Sequence, residues 1–148
     1  MKVFIVSLAL FLAAFAGGCM AKTDAASRRM TDYHTSRNSL TWQGTYIGVV
    51  PCADCAGIET AIILDEDLTY RMRTRYLGKS DRVFERRGSF TWEENGNVIR
   101  LRGIADGPDR YHVGENRLIQ LDRQGNRITG ALAENYVLRK VDPQGGGS

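Results

Sequence analysis

The sequence predicts an all-β domain, a small antiparallel up-and-down barrel of about eight strands. Three observations carry this expectation. From Thr41 onward, short runs in which apolar and polar residues alternate are separated by turn-forming clusters at intervals of about 8 to 12 residues. No stretch of the chain carries a persuasive helical period. The connections are hairpin-sized, which forces antiparallel neighbours, because a parallel pair needs a crossover of about a dozen residues or more.

The strand expected most firmly is Thr69 to Leu77, where Tyr70, Met72, Thr74 and Tyr76 face one side and Arg71, Arg73 and Arg75 the other. The other candidates are Gly44 to Val50, Ile58 to Leu64, Val83 to Trp92, Val98 to Arg102, Tyr111 to Val113, Leu118 to Leu121, Arg127 to Leu132 and Tyr136 to Arg139. Clusters such as Glu94-Asn95-Gly96-Asn97, Asp106-Gly107-Pro108-Asp109 and Gln124-Gly125-Asn126 supply the turns between them. A meander with one amphipathic face leaves two open edges unless it curls and closes, so a lipocalin-like barrel is the economical architecture and a flat sandwich the alternative. Trp42, Trp92 and the tyrosines are expected in its core. A barrel of this size is filled by its own side chains or holds one small ligand, and the pattern does not choose between them.

The N-terminus bears on compartment. Lys2 precedes an apolar or small run from Val3 to Gly18, long enough for a signal-peptide core and short of the roughly 20 residues of a membrane span. Ala16-Gly17-Gly18-Cys19 resembles the lipobox of lipoprotein signal peptides, which makes Cys19 the expected lipidation site. Ala16 departs from the branched aliphatic usual there, and cleavage after Ala14-Phe15-Ala16 is the alternative. Met20 after the cysteine favours the outer membrane by resemblance to enterobacterial sorting signals. The expected organisation is a signal peptide over 1–18, a lipidated end and flexible tether over 19–40, the barrel over 41–140 and a disordered tail over 141–148.

A chain of 148 residues, 43% hydrophobic and 25% charged, has room for one core beyond a targeting segment. A net charge of +3 is far from the clustered basic excess of a nucleic-acid footprint, so no nucleic-acid partner is expected. No Ser-His-Asp spacing, glycine-rich phosphate loop or paired-carboxylate motif stands out, and no enzymatic activity is expected. Asp65-Glu66-Asp67 lacks the alternating ligands of a calcium loop and reads as a solvated turn.

The chemical feature that remains is Cys52-Ala53-Asp54-Cys55 between the first two strands. Two thiolates three positions apart can hold one soft ion, and Cu(I) is content with two sulfur ligands where structural zinc wants four. The two histidines, His34 and His112, and the later methionines Met30 and Met72 all lie away from the pair in sequence. In an oxidising compartment such a pair also closes into a disulfide, so a metal or redox site and a structural disulfide both stand. A thioredoxin-like catalytic pair needs a βαβ setting that is absent from the pattern.

Gly44-Thr45-Tyr46-Ile47-Gly48 leading into Pro51-Cys52-Ala53-Asp54-Cys55-Ala56-Gly57-Ile58 resembles the N-terminal domain of the NlpE family, the copper resistance lipoproteins. The likeness continues in order through Asp67-Leu68-Thr69-Tyr70, Gly88-Ser89-Phe90-Thr91-Trp92, Tyr111-His112-Val113-Gly114-Glu115-Asn116 and Leu121-Asp122-Arg123-Gln124-Gly125-Asn126 to Tyr136-Val137-Leu138. The resemblance implies a lipocalin-like barrel on an envelope lipoprotein held in the membrane by its lipid and facing the periplasm. It also implies a part in copper resistance or envelope-stress sensing, with copper(I) at Cys52 and Cys55 as the candidate cofactor and an envelope protein as a candidate partner. The best-known members carry a further C-terminal domain with its own cysteine pair, and roles attached to that domain are not carried over. A carrier of a small apolar ligand or lipid, with the pair a structural disulfide, is the alternative expectation; a protein-docking module is a third.

Overall fold

The computed structural model describes residues 34–142. The expected signal segment, Cys19, most of the expected tether and the end of the tail lie outside the described residues. Eight strands follow in order: β1 (Gly44–Val50), β2 (Gly57–Leu64), β3 (Thr69–Leu77), β4 (Val83–Trp92), β5 (Val98–Leu101), β6 (Arg110–Gly114), β7 (Arg117–Gln120) and β8 (Val137–Val141). Each pairs antiparallel with the next, and β8 returns to β1 through Thr45↔Val141 and Ile47↔Arg139, closing the barrel. Closure leaves no open edge, as the meander pattern requires.

Alternation fixes which residues face inward. On β3, Tyr70 and Met72 are buried while Arg71 and Arg73 are exposed, and the register places Tyr70 beside Leu64 and Met72 beside Ile62 on β2. Tyr46, Ile62, Phe90, Ile99, Val113, Leu118 and Leu138 complete a core drawn from all eight strands. Two of the buried tyrosines spend their hydroxyls on carbonyls: Tyr46 donates to Trp42 O at 2.7 Å and Tyr70 to Arg102 O at 2.8 Å. Burial pushes the Tyr46 hydroxyl up to about 12, so it stays a donor at any physiological pH.

The two ends of the barrel differ. Trp42, just before β1, packs edge-on against Phe90 and Trp92 with ring centroids 5.7 Å away in each case, and closes one end. Within the segment expected as tether, the helical turn α1 (Ser36–Ser39) braces this end: Ser36 N donates to Asn97 Oδ1 at 2.7 Å and Ser36 Oγ to Val113 O at 2.6 Å. The opposite end, the mouth, carries the β1–β2, β3–β4 and β5–β6 loops and the long connection from β7 to β8.

One expected strand does not form. Residues 127–132 make a single isolated bridge, Arg127 to Leu121, and the chain then passes through a 3-10 turn (Ala133–Tyr136) into β8. Because β7 pairs directly with β8, the barrel has no slot for a ninth strand there.

Candidate functional site

The Cys-x-x-Cys loop spans residues 51–56 at the mouth, between β1 and β2. It is held at its far end by Ala56 N, which donates to Leu77 O on β3 at 3.0 Å. Gly57 then opens β2 at φ +153°, where a Cβ would stand 2.6 Å from Val49 Cγ1. Only glycine lets the chain turn back this tightly onto β1.

Cys52 and Cys55 are joined in a disulfide, with their Cα atoms 5.3 Å apart. Of the two expectations for the pair, the structure shows the oxidised form. Both cysteines are half-buried, and Asp54 between them is exposed. Asp54 Oδ1 lies 3.5 Å from Cys52 Sγ, and Gly57 O lies 3.3 Å from Cys55 Sγ. A disulfide sulfur has no proton to donate, so these become hydrogen bonds only when the pair is reduced to thiols.

The loop is also charged. Lys79, from the β3–β4 turn, forms an ion pair with the Asp54 carboxylate. The hydrogen bond and positive charge of Lys79 hold Asp54 below the usual carboxylate range. Asp54 is therefore anionic across the physiological range, beside the two sulfurs.

Among the described residues, Cys52, Asp54 and Cys55 form the one cluster of three side chains able to ligate a metal, their donor atoms all within 4.8 Å of one another. Met30 lies outside the described residues, and the structure does not bring the other sequence candidates to the cluster. Met72 is buried in the core, His112 faces outward from β6 opposite Val98 and Ile119, and His34 precedes α1 at the closed end. In the disulfide form the sulfurs are poor ligands. Reduced, the pair supplies two thiolates with a carboxylate alongside, a set that suits a soft monovalent ion and falls short of a four-coordinate zinc site.

Sequence reasoning passed over a second group of residues at the mouth. Val50, Pro51, Ile58, Met72 and Tyr111 line a half-open cavity of about 200 Å³ together with the polar side chains of Thr60, Arg86, Asp106 and Gln120. The available signal was parity. Gln120 interrupts the apolar run Leu118-Ile119-Gln120-Leu121, and Arg86 lies an even number of residues from the inward-facing Phe90.

Comparison with known proteins agrees with this architecture. Residues 46–131 match the family described as the NlpE N-terminal domain, more than half of the chain. The chain belongs to this family. Lipoprotein NlpE from Escherichia coli (strain K12) is 36% identical over 91 residues, covering 62% of this chain and 38% of that protein. Two crystal structures are similar. One, from Shewanella oneidensis and described as a lipoprotein, is 48% identical with a TM-score of 0.66, covering 72% of this chain and 95% of that one. The other, the Cpx pathway activator NlpE from Escherichia coli, is 34% identical with a TM-score of 0.50, covering 60% of this chain and 45% of that one. The chain thus spans well under half the length of the Escherichia coli relative and nearly all of the Shewanella chain.

Proposed function

We propose that this NlpE-type barrel is a lipid-anchored envelope protein, held through Cys19 and facing the periplasm from the outer membrane, that takes part in copper resistance or envelope-stress sensing. It acts as a sensing or binding module and not as an enzyme. Cys52 and Cys55 are its reactive element: closed as a disulfide in one state, and in the reduced state a copper(I) or redox site with Asp54 beside it.

The observation that carries this reading is the position of the disulfide. It lies on a loop at the mouth, outside the core cluster that holds the barrel together. A pair kept only as a staple gains little there, because closing so short a loop removes little chain entropy. Copper(I) bound to the reduced pair would supply a soft, thiophilic centre, and the protein's own contribution is to hold two sulfurs and one anion at the rim.

The test is to trap free thiols in intact cells with an alkylating mass tag and read the peptide spanning both cysteines by mass spectrometry, with and without added copper and reductant. The expected result is a labelled fraction that changes with copper or redox conditions, together with loss of copper tolerance in the Cys52→Ser/Cys55→Ser double variant. A disulfide that stays closed under every condition, with unchanged tolerance in the double variant, would overturn the reading.

A carrier of an apolar ligand or lipid, with the disulfide structural, ranks second. The core is filled by Tyr46, Tyr70, Phe90 and Tyr111, and the cavity that remains at the mouth is smaller than the roughly 300 to 1,000 Å³ of ordinary ligand pockets.

A further inference from the structure

We propose that the mouth of the barrel binds a small zwitterion of the size of a free amino acid, its carboxylate on Arg86, its ammonium toward Asp106 and its polar groups on Gln120 and Tyr111. The inference starts from charges left unpaired. Arg86 pairs with Met72 across β3 and β4 and so falls on the inward-facing parity of its strand, between Phe84 and Gly88. It belongs to none of the ion pairs among the described residues, which take Arg71, Arg75, Lys79, Arg87, Arg100 and Arg110. Asp106, on the β5–β6 loop, lines the same cavity and is likewise in none of them. One exposed cation and one exposed anion thus line a single half-open cavity with no ion pair between them.

The inner wall carries a second, independent observation. Gln120 is only 8% exposed and Tyr111 only 1%, and both line the cavity. Gln120 and Tyr111 are cross-strand partners on β7 and β6, and so place a polar amide and a tyrosine on neighbouring strands of the same wall.

Size and charge together select the ligand class. A cavity of about 200 Å³ has no room for an acyl chain. A multiply charged anion meets Asp106, and a simple amine meets Arg86, so a molecule carrying one charge of each sign satisfies both. Met72 and Ile58 leave an apolar wall for its side chain. This site is independent of the sulfur chemistry of the Cys52–Cys55 loop, and failure of one leaves the other untouched.

The experiment is isothermal titration of the purified protein with each standard L-amino acid, with succinate, putrescine and inorganic phosphate alongside. The expected result is one-to-one binding of at least one amino acid with a Kd of about 1 mM or tighter, weakened about tenfold or more in Arg86→Gln and in Asp106→Asn. Arg87→Gln, on the outward face of the same strand, leaves it unchanged. Three results would overturn the proposal: no amino acid binds; binding persists at full strength in both mouth variants; or phosphate, succinate or putrescine binds as tightly as the best amino acid.

Discussion

At the scale of single residues, His112 gives the clearest pH signature. It is half-buried on the outer face of β6, and its Nδ1 is buried without a partner. Burial first, and then the positive charges of Arg127 and Arg117, push its pKa below the ordinary histidine value of about 6.5. Between that depressed value and about 6.5 the unfolded chain binds more protons than the folded one, so stability rises with pH through this window. Its contribution is complete above about 6.5, is lost as pH falls through the folded-state value, and is flat below it. Denaturant titrations across this range are expected to show that slope in the parent protein and a shallower one in His112→Gln. Residue-level reading of the sequence succeeded where one side of a strand was uniform. The Arg71, Arg73, Arg75 alternation placed β3 correctly because burying a guanidinium is costly. It missed Gln120 and Arg86 because each is a single polar residue on an inward parity, and only closure of the barrel reveals what it faces.

At the scale of elements, the seam between β1 and β8 is the non-local step that turns a meander into a barrel. Gly48 sits at this seam with β8 backbone hard against it: a Cβ there would stand 2.9 Å from Val137 O and 3.2 Å from Leu138 Cα. Those neighbours are backbone and cannot rotate away. Gly48→Ala is therefore expected to lower unfolding free energy by about 1 to 3 kcal/mol, measured by urea denaturation, with the seam shifted in hydrogen-exchange protection before the β2–β3 pairing. Most elements were legible from turn chemistry and alternation, including the long β3–β4 hairpin. Residues 127–132 show why the rest were not. Their alternating, β-branched pattern is locally adequate for a strand, but pairing of β7 with β8 already uses both edges, and tertiary closure overrides local propensity. The state of Cys52 and Cys55 was open for a similar reason, since spacing permits a disulfide and a metal pair equally.

At the scale of the whole molecule, the core and the reactive loop are separate. The chain-entropy relation gives a loop closed between Cys52 and Cys55 a stabilisation of about 2 kcal/mol at most. Reduction is therefore expected to lower the thermal midpoint modestly while far-UV circular dichroism and the folded NMR dispersion persist. A collapse of the barrel on reduction would show that the disulfide is structural after all. This separation is what a switchable pair requires, because its oxidation state then changes without costing the fold that displays it.

The described chain reaches the barrel at Trp42, by the closed end, and β1 then carries it the full height of the wall to the cysteine loop. Seven residues of strand at about 3.3 Å each span about 20 Å. The molecule therefore has a stern and a bow. The N-terminal entry to the barrel lies at the tryptophan-plugged pole, while the disulfide, Lys79 and the charged mouth ride at the other.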